Sequence, residues 1–387
     1  MRKLFVISFL FVASSTFGAS RYLVGAGTGN WNSTTNWSTS DGGGSGASFP
    51  TSSDAVFITS NSSNANITIN VPSACASFSV SGTYTGTLTA NSQFTISGAI
   101  TFISGMTIAG TDTLIMNTSS NITSGGKTWT GSIRFSGTAP QYLLIDNWTV
   151  AGNLTIKAVT NSYINGVGKT FSVGGNLYTT NGSLYGTSTL ILNGTGTWLG
   201  NSQIDCNITI NTAGTITLSG QQNLGLNIVF TITSGTITCI NSQYLRMFYA
   251  MTLTINESGI TFSEIDYTGN TIFNGSNGFS VGSLYSTASG NTLTLQASNT
   301  YSITPGVGES DINLRLHGTS GSPCVIASSD GTTKTILTLS TGTNQSVIYA
   351  TATRIDGSGG VAIVNAYGTN TSCLNWTGRH WDTGLVK

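Results

Sequence analysis

From residue 66 onward the chain is written in short phrases in which apolar and polar residues alternate one by one. WTVAGNLTIK (148–157) and TFSVGGNLYTT (170–180) show the form most clearly: an alternating run, a glycine step, then a second alternating run. A period of two puts Val, Ile, Leu and Phe on one face of a strand and Thr, Ser and Asn on the other. Val150 and Val173 stand 23 residues apart, as do Leu154 and Leu177. FTISGAITFI (94–103) and GFSVGSLYST (278–287) repeat the phrase more loosely. Such a strand cannot bury its apolar face alone, but copies stacked one upon another can. The pattern therefore predicts an all-β fold, a right-handed parallel β-helix (β-solenoid), with a β-sandwich pair or other irregular all-β fold as the alternative. Irregular spacing fits coils of about 18 to 25 residues. Roughly ten to twelve of them, stacked at ~4.8 Å, make a rod of about 50–60 Å.

The two ends read differently. Arg2 and Lys3 precede the apolar run LFVISFLFVA (4–13), and small and polar residues follow through Ser20. That order predicts a signal peptide over 1–20, cleaved after Gly18 or Ser20, and hence a secreted or cell-surface protein. No later run reaches the ~18 apolar residues of a membrane span. Residues 21–65 hold Trp31, Trp37 and a Gly/Ser run, and read as an N-terminal cap over the first open edge of a solenoid at 66–305. Residues 306–387 carry slightly more charge and read as a strand-rich C-terminal cap.

Composition changes the picture in one respect. Only 7% of residues are Asp, Glu, Lys or Arg, with 13 basic and 13 acidic among 387. A balance that sparse gives no electrostatic pull toward nucleic acid or an anionic membrane. An uncharged Thr/Ser/Asn surface suits glycans, or further copies of the chain, as partners. Inward Asn and Thr are expected to form stacked hydrogen-bond ladders at the corners.

Candidate chemistry is thin. In SEIDY (263–267), Ile265 is expected to point inward, leaving Glu264 and Asp266 on the outer face about 7 Å apart. Paired carboxylates so placed could serve a polysaccharide hydrolase or lyase as acid and base, with Glu257 joining from a corner. Two solvated acids on a polar face is the plainer reading, and Glu309 with Asp311 repeats the spacing. Trp31 and Trp37 either pack the cap or stack on a sugar ring. His317 and His380 lie far apart without other ligands at metal spacing, and no cofactor or metal motif is present. Cys75, Cys206, Cys239, Cys324 and Cys373 form no C-x-x-C pair. A Cys206–Cys239 disulfide is compatible with export, and buried thiols are the simpler expectation.

The opening VGAGTGNWN…NWS…FPTSSDAVFI and the closing LRLHGTSGSPCVIAS…ATRIDGSGGVAIVNAYGTNTSCLNW together carry a resemblance. They resemble β-solenoid proteins of environmental tailed phages and bacteria, which start with a WVGGTGNWN-type cap and end on an aromatic step after an Asn/Gly-rich turn. The resemblance implies an appendage of a virion or a cell surface, and no catalytic residues. The signal peptide departs from a phage tail protein and favours the secreted or cell-surface version. The functional expectation is a non-enzymatic structural or adhesive module. The polysaccharide-degrading enzyme built on Glu264 and Asp266 is its rival.

Overall fold

The 23-residue step is one turn of a coil. Val150 pairs in register with Val173 across the parallel strands Trp148–Val150 and Thr170–Val173. Leu154 pairs likewise with Leu177. The computed structural model describes residues 18–379 apart from 26, 138–139, 159–161, 182–183, 201–202, 226–227, 240–243, 248–249, 287 and 306–311. Residues 1–17, on which the expected signal peptide falls, and Glu309, Asp311 and His380 lie outside the described residues.

The chain forms a β-solenoid of about 14 turns with parallel sheets. Each regular turn has three strands, so the coil has three faces, here called A, B and C in the order the chain visits them. Each face contributes a column of apolar side chains to the interior. On face B the column runs Trp129, Val150, Val173, Leu192, Ile210, Ile232, Ile255, each in register with the next. On face C it runs Phe94, Leu114, Ile133, Leu154, Leu177, Trp198, Leu218. Face A stacks Val56, Phe78, Ile100, Ile122 and Leu144 in the lower turns. All of these side chains are buried, each contributing about 1.5–3 kcal/mol of hydrophobic stabilisation.

The glycine in each phrase sits at the corner between faces B and C. A Cβ placed on Gly174 would lie 2.7 Å from the Ala151 carbonyl oxygen, and one on Gly194 would lie 1.6 Å from that of Gly174. Turns stack there so closely that the preceding backbone occupies the side-chain position. The looser phrases do not share this location. Ile96 pairs with Cys75 and Met116, and Val281 with Phe262 and Ile303, on face C rather than in the Val150 column on face B. Alternation with a glycine step is a local grammar that serves more than one face.

The ladder also runs past both expected boundaries. Ser20–Leu23 lies parallel to Ala55–Ile58, and Trp37–Ser38 runs antiparallel against it at the open end. At the other end Leu284 pairs with Leu314, Leu316 with Val347, and Ile363 with Trp376. Within the stretch expected as a C-terminal cap over 306–387, the described residues 312–379 thus continue the coil, since LRLH, CVIAS and TILTL alternate like the earlier strands. This is why the turns outnumber the ten to twelve expected. Among the described residues no helix is long and apolar enough to cross a membrane.

Candidate binding face

Face A carries outward aromatic and charged side chains in register from turn to turn. The strand Ser162–Asn165 carries Tyr163 outward, and one turn on Tyr185 lies beside it with ring centroids 5.3 Å apart. The next position in that column is Asp205. Gln203, two residues before it, donates from Nε2 to both Asp205 carboxylate oxygens at 3.0 and 2.9 Å. The carboxylate lies over Gly225, where a Cβ would sit 1.2 Å from Oδ1. A side chain at that position would push the carboxylate aside.

A second outward column starts at Gln203 and passes through Asn223, Arg246 and Asp266. It continues through Tyr285, Arg315 and Ser346. Arg246 Nε donates to Asp266 Oδ2 at 2.9 Å. One turn further Tyr285 is nearly covered, its hydroxyl donating to the Ile312 carbonyl. The Arg315 guanidinium lies over the Tyr285 ring at 5.3 Å. His317, two residues along the same strand, forms a 2.7 Å hydrogen bond through Nε2 with Ser346 Oγ. Burial holds the His317 imidazole below its ordinary pKa, and the Arg315 charge adds to the effect. It is therefore neutral at pH 7.

The expected carboxylate pair is on this face but is not open to solvent. Ile265 points inward as expected, yet Glu264 is only 9% exposed and Asp266 3%. The physical reason is the pairing on either side: Arg246 covers Asp266 from the preceding turn and Tyr285 from the following one. Alternation fixes which way a side chain points, but not what its neighbours one turn away do with it. Glu257 lies at the corner between faces B and C, across the coil from the pair, so the structure does not bring the three acids together.

Trp31 and Trp37 offer no platform for a sugar. Both are at most 1% exposed and meet edge to face at 4.9 Å. Trp37 Nε1 donates to the Trp31 carbonyl at 2.7 Å, and Trp31 also packs against Phe94 at 5.0 Å. They plug the first turns of the coil, because two indoles that can satisfy their N–H groups gain most by leaving water. Cys75, Cys206 and Cys324 are buried free thiols, Cys373 is a half-buried one, and the Cys239 side chain lies outside the described residues. With Cys206 free, the structure has no Cys206–Cys239 bridge. Among the described residues no three His, Cys, Asp or Glu side chains gather as a metal site.

Polar ladders are present on the outside and at the corners, and the buried Thr335 and Asn365 side chains also donate to carbonyls of the neighbouring turn. Thr215 and Thr236 hydroxyls meet at 2.6 Å and those of Thr217 and Thr238 at 3.2 Å, all at the surface of face C. At the B–C corner Asn153 Oδ1 accepts from the Asn176 main chain at 2.8 Å, and Asn176 Oδ1 from that of Thr197 at 2.7 Å. A polar side chain removed from water is costly unless it is hydrogen-bonded, so repeated ones bond where backbone or water is available. Further along this corner an open groove of about 360 Å³ is lined by Ser258, Ser276, Asn277, Ser280, Ser298 and Asn299, among others.

Sequence reading missed the tyrosines, Arg246 and Arg315. Tyr163 and Tyr185 are 22 residues apart, one turn, so aligning outward as well as inward positions would have found them. Comparison of the chain with protein-family models, with curated proteins and with solved structures finds no match.

Proposed function

We propose that the chain is a non-enzymatic extracellular structural or adhesive solenoid that lays a glycan along face A. One observation carries this reading: outward aromatic and hydrogen-bonding side chains line up in two adjoining columns over nine successive strands. At ~4.8 Å per strand the columns extend about 38 Å. A polar–aromatic track of this length suits an extended polymer, since side chains held by their neighbours lose little freedom on binding. The leader LFVISFLFVA supports export, and the family-like ends support a place on a cell-surface or virion appendage. The rival enzyme reading is weaker because a carboxylate held by Arg246 and screened by Tyr285 is poorly placed to exchange protons with a glycosidic oxygen.

The test is titration of the purified chain, without its leader, against a panel of neutral and acidic polysaccharides, with product analysis of the same mixtures. Binding without cleavage is expected. Tyr163→Ala with Tyr185→Ala should weaken it about tenfold, the equivalent of ~1.4 kcal/mol. Chain cleavage that disappears in Glu264→Gln would replace this proposal with the hydrolase or lyase.

A further inference from the structure

We infer that Arg315, seated on Tyr285, is a subsite for the oxyanion of an acidic sugar, a ring bearing a carboxylate or sulfate. The inference rests on the glycan reading of face A and names the class of sugar that face selects.

Arg315 alternates with Leu314 and Leu316, both fully buried, so the strand can present its side chain only outward. Its surroundings differ from those of the other arginine in the column. Arg246 is neutralised by Asp266 at 2.9 Å. Arg315 has Tyr285 as its neighbour on one side and Ser346 on the other. Its guanidinium lies over the tyrosine ring, and its Nε is buried without a hydrogen-bond acceptor. Among the described residues it makes no ion pair. Asp266 stands two strands away, about 9.6 Å along the stack, and is already engaged by Arg246. In a chain with only 13 basic residues, this one is held over a buried ring and has no ion-pair partner among the described residues.

The chemistry that completes such a group is a planar or trigonal oxyanion. A guanidinium offers paired N–H donors in a fixed fork that matches two oxygens of a carboxylate or sulfate. The ring beneath fixes the plane of the fork, so little side-chain freedom is left to lose on binding. Part of the guanidinium's hydration has also been removed in advance, which strengthens its attraction to an anion at the same distance. Ser346 Oγ and the His317 ring, joined at 2.7 Å, stand on the other side of the same fork. They supply neutral hydrogen-bonding groups for hydroxyls on the same sugar. Asn313 anchors this part of the face, donating from Nδ2 to the Gly282 carbonyl at 2.8 Å and accepting from the Asn344 main chain at 3.0 Å.

The experiment compares three oligosaccharides of equal length by calorimetric titration in low salt: an oligouronate, its carboxyl-reduced neutral form, and a sulfated neutral oligosaccharide. The unaltered chain should bind at least one anionic form about tenfold more tightly than the neutral one, and the two anionic arms separate carboxylate from sulfate. Arg315→Met should remove that preference, so that the anionic and neutral forms bind with equal affinity. Arg315→Lys, which keeps the charge without the fork, should restore only part of it. Far-UV circular dichroism and a urea midpoint check that each variant is folded. Equal affinity for all three sugars, or a preference that survives in folded Arg315→Met, overturns the subsite while the glycan reading stands. Absence of binding to any of the three overturns both.

Discussion

Gly194 offers the sharpest test of the stacked-turn architecture. A methyl group at this position would lie 1.6 Å from the carbonyl oxygen of Gly174 one turn below, a contact that cannot exist. The backbone φ there is not in the left-handed region, so Gly194→Ala adds no conformational strain of its own. The whole penalty comes from neighbouring turns being forced apart by well over an ångström. Asn193 N donates to the Val173 carbonyl at 3.0 Å beside this contact, and an opening of that size takes it beyond hydrogen-bonding range. Asn193 is exposed, so the broken bond costs only its net worth of about 0.5–1.5 kcal/mol, and the displaced packing adds about 1–3 kcal/mol. A loss of about 1.5–4.5 kcal/mol is expected. Gly44→Ala is the control: it is exposed with nothing within 4 Å, and should change stability by less than ~0.5 kcal/mol. Urea unfolding followed by far-UV circular dichroism and by the summed tryptophan fluorescence measures both. Equal midpoints for the two variants would show that the turns do not stack on this corner, and the reasoning would fail.

Two further expectations concern titration and thiol chemistry. Burial alone would raise the Asp54 carboxyl, but donors from Thr51 N, Thr51 Oγ1 and Ala19 N, each at 2.8 Å, outweigh it, and with the nearby Arg21 charge they hold it below the ordinary value of 3.8. Its folded pKa lies below its unfolded one, so its stabilisation is complete above about pH 4 and is lost as pH falls through the lowered value. Guanidinium midpoints of the unaltered chain and Asp54→Asn should therefore differ at pH 7 and draw together as the pH falls below about 4; a constant gap would refute the assignment. Burial also raises the thiols, Cys206 up to about 12 with help from the adjacent Asp205 charge, and Cys75 and Cys324 in the same direction. Thiol labelling read by peptide mass spectrometry should mark Cys373 before Cys75, Cys206 or Cys324 in the folded chain. Early labelling of Cys206 would show that the interior near face A is open.

The alternation in 148–180 was enough to derive the class of fold and the register of one turn, because a period of two admits only one inward set and the 23-residue step repeats it. Val150 over Val173 and Leu154 over Leu177 follow from that alone. Inward columns were legible for the same reason: burial selects apolar residues, and selection leaves a pattern. The outer surface is under no such selection, so the meeting of Tyr163 with Tyr185, Arg246 with Asp266, and Arg315 with Tyr285 left no local mark. These pairs lie 20 to 30 residues apart in sequence, and each depends on how many residues the intervening corners consume. Glu264 and Asp266 show the limit plainly. Their direction could be read from Ile265 between them, but their exposure was decided by side chains one turn below and one turn above, which only the stacking of the coil brings into contact.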